Sequence, residues 1–320
     1  MSTAAPGNPA AGRHSGGPSF TRRRFIGGIM AVTAGAVLGR TAGAPRWQIG
    51  CFTRPWAEFD FRVALDGIAA AGFAFAGLMT AKGGKLVTPD TTPGQIALMG
   101  AEAKARNLSI LSIYGDGFIR EDSVAESIVR LKRLVDNAAL CGCPTLLLGG
   151  MERAGWRENY CQVIARCCDH AAERGVGLVI KPHGGFNATG PQCRRLIEEV
   201  GHRNFRLWYD PGNICYYSEG RLDPVEDAAS VDGVTTGMCV KDFRPPREVD
   251  LTPGTGTVGF AKVLARLKRG GFAGGPLVIE CLSPGNAAAI TAEAEKSRRF
   301  VEALVAENVR DAGTPAAGRG

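Results

Sequence analysis

The sequence predicts a single-domain (β/α)8 TIM barrel of the α/β class, and three observations carry that prediction. From Trp47 onward, short apolar runs of strand length alternate eight times with longer segments of helical periodicity. Runs such as Leu146-Leu147-Leu148 and Leu277-Val278-Ile279 are apolar throughout, as parallel strands covered on both faces require. No Gly-x-Gly-x-x-Gly follows an early strand, which removes the main signature of an open, doubly wound sheet.

The strands are expected near residues 47–52, 74–79, 108–113, 144–149, 176–181, 205–210, 235–241 and 276–281. Between them lie helical patterns. Over 123–140, for example, Val124, Ile128, Leu131, Leu134 and Val135 recur on one face. The last helix is expected near 287–306. The barrel should therefore span 45–309, preceded by a leader over 1–44 and followed by a disordered tail over 310–320. Both ends are rich in Gly, Ala and Pro.

The net charge of +7 invites an anionic partner, but its location argues otherwise. Arg13, Arg22, Arg23, Arg24 and Arg40 all fall within the first 44 residues, which contain no acidic group. The rest carries 33 basic and 31 acidic residues, a near-neutral body with no basis for steering nucleic acid. Within the leader, Thr21-Arg22-Arg23-Arg24-Phe25-Ile26 matches the twin-arginine export pattern. An uncharged run from Phe25 to Gly39 and the small residues Ala42-Gly43-Ala44 follow in the expected order. The run is short of the roughly 20 apolar residues of a membrane span. The leader thus predicts a twin-arginine signal read by the translocation machinery, and a periplasmic or otherwise exported location. Pro45 is a poor first mature residue, so the cleavage point stays open.

Ten cysteines show no spacing typical of a disulfide framework or a zinc site, and are read mostly as small buried hydrophobes.

In a barrel of this kind, chemistry belongs to the C-terminal ends of the strands. Strand five ends at Lys181-Pro182-His183, strand six at Asp210-Pro211-Gly212-Asn213, strand seven at Cys239-Val240-Lys241-Asp242 and strand eight at Glu280. Charges placed there, half-buried behind apolar runs, must pair, hold an ion or meet a substrate. Glu280, Lys181, His183 and Lys241 are the catalytic candidates. Asp210, Asn213, Arg54, Gly254 and Gly256 are candidates for holding substrate, with Asp242 behind them. Trp56, Tyr114, Phe186, Arg244 and Tyr216 are further candidates for the pocket wall. Asn213 is equally well a turn and capping residue, and Cys239 is read as a core residue ahead of a ligand. Gly254-Thr255-Gly256 and Ser283-Pro284-Gly285-Asn286 offer backbone donors either to an anion or to ordinary helix caps.

Taken together and in order, the strand-five ending before Pro182-His183, Asp210-Pro211-Gly212-Asn213, Lys241-Asp242, Gly254-Thr255-Gly256 and Ile279-Glu280 resemble the xylose-isomerase-like family of sugar and sugar-phosphate isomerases and epimerases. The resemblance covers 45 to about 306 and implies a divalent-metal site of Glu, Asp, His and Glu from strands five to eight. Those positions read Lys181, Asp210, Cys239 and Glu280 here. Two accounts follow. In the favoured one no metal is bound, and Lys181 supplies the positive charge between Asp210 and Glu280. In the other, one divalent ion (zinc, manganese or iron) is held by Asp210, Cys239, Glu280 and His183.

The expected function is a sugar isomerase or epimerase acting on a small carbohydrate-type substrate. Glu280 would be its base, and Lys181 with Lys241 or His183 would stabilise the enediolate. A lyase or a Schiff-base enzyme would use the same groups. A carbohydrate-binding barrel without catalysis is the alternative of a different class. An endonuclease for abasic DNA needs a histidine-rich zinc cluster that four histidines, one of them well placed, do not provide. The oligomeric state is not fixed by the sequence.

Overall fold

A computed structural model describes residues 47–311, residue 152 excepted. Among these, eight strands close a parallel barrel. They are β1 (Trp47–Phe52), β2 (Phe75–Leu78), β3 (Ser109–Gly115), β4 (Thr145–Leu148), β5 (Gly177–Ile180), β6 (Phe205–Tyr209), β7 (Thr235–Val240) and β8 (Gly275–Ile279). The ring closes where β1 pairs with β8, Trp47 opposite Gly275 and Cys51 opposite Ile279. Around it lie α1 (Phe61–Ala70), α2 (Pro93–Ala105), α3 (Val124–Leu140), α4 (Arg157–Glu173), α5 (Gly190–Val200), α6 (Pro211–Tyr217), α7 (Phe260–Arg269) and α8 (Ala287–Asp311). The chain is a single TIM barrel, as the alternating pattern predicted. The leader lies outside the described residues, as does the tail from residue 312; α8 runs two residues past the expected barrel end at 309.

Local chemistry explains where the helices begin. Thr92 and Gln95 form a capping box with Pro93 in the first turn of α2, and Thr189 with Gln192 does the same for α5. The Ser123 side chain accepts from the Glu126 amide to start α3. Gly201 ends α5 at φ 63°, a left-handed conformation suited to glycine.

Two apolar layers hold the barrel. Outward-facing Ile113, Leu146, Leu148, Leu178, Ile180, Leu207, Val240, Leu277 and Ile279 pack into the large cluster beneath the helices. Inward-facing Phe52, Leu111, Leu147, Val179, Trp208, Cys239 and Val278 fill the interior. Glycines on neighbouring strands make room for the large rings there. A Cβ on Gly77 would lie 2.2 Å from the Phe52 ring, and one on Gly237 2.5 Å from the Trp208 indole. Ten free cysteines fall within the described residues, nine of them buried, in accord with their reading as small hydrophobes. No helix there is long and apolar enough to cross a membrane.

Candidate active site

Strand alternation carries the interior layer up into the site. Val179, Trp208, Cys239 and Val278 point into the barrel, so the residues two places on, Lys181, Asp210, Lys241 and Glu280, point the same way. Each of the four is the first residue beyond the end of its strand. The packed floor of apolar rings thus gives way, within one residue layer, to four charges.

Those charges meet in one network. Lys181 Nζ donates to Asp210 Oδ2 at 3.1 Å and makes a close hydrogen bond to Glu280 Oε2. Lys241 Nζ lies 2.6 Å from Glu280 Oε1 and 3.4 Å from Asp210 Oδ2. Two ammonium groups therefore face two carboxylates, and all four residues are at most 5% exposed. Burial by itself pulls both lysines down, but Glu280 and Asp210 outweigh it and leave both raised above the ordinary lysine value. Burial pushes Glu280 up, but Lys181, Lys241 and Arg54 outweigh it and hold its carboxyl well below the usual range. At neutral pH both lysines are therefore protonated and Glu280 is ionised.

A polar layer holds the quartet in place. Lys241 Nζ also donates to Asn213 Oδ1 at 3.0 Å, and Asn213 Nδ2 donates to the Pro182 carbonyl at 2.6 Å. Asn213 is thereby a brace between Lys241 and the exit of β5, while its own amide donates to Asp210 Oδ1 at 2.9 Å. Asp210 caps α6, so the residue that binds the lysines also starts the helix. Asn187, which no local pattern singles out, donates to the Lys181 carbonyl at 2.8 Å, and its own carbonyl accepts from the His183 amide at 2.9 Å. Its Oδ1 is buried without a partner.

His183 stands apart from the quartet, its Nε2 3.3 Å from the Tyr114 hydroxyl. Burial and the nearby Lys181 pull its pKa down to about 4, so the imidazole is neutral at neutral pH. Its ring begins an aromatic row: Tyr114 and Tyr217 flank it at centroid distances of 6.1 and 5.9 Å, and Tyr216 follows Tyr217 at 5.1 Å. Tyr217 was legible only as part of a Tyr-Tyr pair at the end of a short apolar run. Arg54, partly exposed on the turn after β1, donates through Nη1 to Asp250 Oδ1 and to Cys281 Sγ, both at 2.7 Å.

Two sequence expectations change, and one that was left open is decided. Gly254 and Gly256 do not offer their amides to a substrate: both donate to Asp242 Oδ2, at 2.9 and 2.8 Å. The other Asp242 oxygen accepts from Phe243 and Val258, so this carboxylate folds the 242–258 loop around itself. In the loop after β8, the Asn286 side chain caps α8 by accepting from the Ala289 amide, and Ser283 bonds to Thr252. Trp56 is fully buried against α1, where a Cβ on Gly67 would lie 2.7 Å from its ring, and so lines no open pocket.

Asp210, Cys239 and Glu280 each present a possible ligand atom, all within 4.8 Å of one another. His183 is not part of that group. The donor set as folded does not fit a divalent cation, because two ammonium groups hold the carboxylate oxygens that an ion would need. Burial also pushes the Cys239 thiol well above its ordinary pKa, which keeps it protonated.

Comparison with known proteins agrees with this architecture. No curated protein matches the chain significantly. Among solved structures, a xylose isomerase domain protein from Planctomyces limnophilus has a TM-score of 0.66 at 21% identity, covering 83% of this chain and 100% of its own. D-allulose 3-epimerase from Methylomonas sp., in complex with D-allulose, has 0.64 at 18%, covering 81% and 98%. An L-ribulose 3-epimerase has 0.65 at 16%, covering 85% and 100%. At such identities the likeness is one of fold. The family model described as xylose isomerase-like TIM barrel matches residues 65–304, most of the chain, and this protein belongs to that family.

Proposed function

We propose that this barrel is a sugar isomerase or epimerase that moves a proton next to a carbonyl of a carbohydrate-type substrate, using two lysine ammonium groups as its electrophile. The observation that carries the reading is the buried Lys181–Asp210–Lys241–Glu280 quartet at the strand ends. The sugar epimerases among the solved structures of the same fold support the substrate class.

The chemistry follows from the charges. A proton next to a carbonyl is removed only if the developing enediolate oxygen is stabilised, and preorganised cations in a dry site do this well. Lys181 and Lys241 stay protonated because Asp210 and Glu280 hold them so. Glu280 in the resting quartet is a weak base, since both of its oxygens carry an ammonium partner. A substrate oxygen that takes Lys241 for itself removes one of those partners and raises the basicity of Glu280 when the base is needed. Neutral His183, bonded to Tyr114, is placed to exchange hydrogen bonds with a hydroxyl. The aromatic row from Tyr114 to Tyr216 gives a sugar ring flat surfaces to lie on. No step in this scheme passes through a metal.

One feature favours the second reading, a carbohydrate-binding barrel without catalysis: every charge in the quartet already has a partner. Hydrogen exchange separates the two. Incubation with a panel of ketoses and aldoses in D2O should place deuterium on the carbon next to the carbonyl, and Glu280→Gln should abolish this. Binding without any exchange across the panel would leave only the non-catalytic reading.

The leader is part of the proposal: Arg22-Arg23 directs export by the twin-arginine route. A route that carries folded proteins suits a barrel with nine buried free thiols. Fractionation of the native chain and an Arg22→Lys/Arg23→Lys variant tests it. An unchanged distribution would remove the export claim.

A further inference from the structure

We propose that the substrate carries a carboxylate, as a sugar acid does, and that Arg54 is the residue that reads it; this rests on the carbohydrate reading above. Barrels that bind anions commonly use backbone donors in the loops after the seventh and eighth strands. Here the Gly254 and Gly256 amides donate to Asp242, and in the loop after β8 the Ser283 amide donates to Thr252 and the Ala289 amide to Asn286. A side chain beside the quartet offers an anionic group what these amides do not.

Inside the quartet the charges cancel, two against two. Arg54 is a third cation beside it: its guanidinium reaches Cys281, the residue after Glu280, and contributes to holding the Glu280 carboxyl down. Among the described residues its only carboxylate ion pair is with Asp250, whose side chain is 58% exposed and whose hold on Arg54 is correspondingly weak. Both hydrogen bonds leave from Nη1. Nε and Nη2 make none among the described residues, although a guanidinium fixed for structure alone commonly engages a carboxylate with two arms. Cys281 anchors one corner of a planar fork whose other edge is uncommitted. That edge matches a carboxylate, which would take the place Asp250 occupies in the resting protein.

Titration calorimetry on the full chain tests the idea with sugars that differ only at C6, D-galacturonate against D-galactose and D-glucuronate against D-glucose, plus D-glucose 6-phosphate. The wild-type protein should prefer the acids by about tenfold or more, the range of a charge-assisted hydrogen-bond pair. Arg54→Gln should bring acid and neutral affinities to within about threefold of each other. Asp250→Asn, at an exposed position, should tighten acid binding, because it removes the competing carboxylate; a merely structural Arg54–Asp250 tether would not respond this way. Equal binding of acid and neutral sugar, a preference that survives Arg54→Gln, or a preference for the phosphate would overturn the inference and leave the carbohydrate reading standing. No binding of any of the five would remove both.

Discussion

Lys181→Met is the perturbation that most directly probes the quartet. Methionine keeps the length and apolar stem of the side chain but deletes the ammonium group. Lys181 Nζ sits 3.1 Å from Asp210 Oδ2 and also bonds Glu280, with every partner buried. At an effective dielectric of ~20, unit charges at that separation attract by roughly 5 kcal/mol each. Much of this is offset by the desolvation of the lysine itself, so the net loss expected is about 3–5 kcal/mol, the cost of leaving a buried charge unpaired. Urea unfolding followed by circular dichroism should show a large drop in midpoint with the slope unchanged. The double variant Lys181→Met/Glu280→Gln restores neutrality, one lysine against Asp210, and should recover at least about 1 kcal/mol of that loss. A single-variant loss below about 1 kcal/mol, as for a surface pair, would refute the description of the quartet as a closed buried network. So would a double variant less stable than the single.

Four further predictions follow from the same geometry. His183 has its pKa lowered to about 4 by burial and Lys181, so the unfolded chain binds the extra proton first. Stability should fall as pH drops from the ordinary histidine value near 6.5 towards 4, by on the order of 2–3 kcal/mol, and His183→Gln should flatten that window. Lys181 and Lys241, with raised values, and Glu280, with a lowered one, should contribute little slope between about pH 5 and 10, since each keeps its charge in both folded and unfolded chains there. Prolonged dialysis against a chelator should leave the melting temperature unchanged, and elemental analysis of untagged protein should find no stoichiometric zinc, manganese or iron. A metal that falls in a Cys239→Ala variant would reverse the assignment of charge to Lys181. Asp242→Asn should loosen the 242–258 loop, because its carboxylate accepts four backbone amides, and limited proteolysis should then cut within that loop before the barrel unfolds.

By itself the sequence determined the barrel and the identity of its strand ends. Apolar runs bounded by helical periodicity can hardly be arranged otherwise, and period-two alternation carries Val179 to Lys181 and Val278 to Glu280 on one face. It also marked Lys181 and Cys239 as departures from a metal-binding pattern. What it could not decide was where each hydrogen bond goes, because that depends on elements far apart in the chain. Gly254 and Gly256 looked like anion donors, yet Asp242, twelve and fourteen residues earlier, consumes them. Asn213 was equally a cap or a ligand until the fold set it between Pro182 and Lys241. Lys241 had no assigned partner in the sequence, and the parallel pairing of β7 with β8 brought it Glu280, 39 positions away. Asn187 carried no local signal at all. Strand patterns are local and survive in one dimension; the pairing of buried charges is a property of the closed ring, and only the tertiary structure holds it.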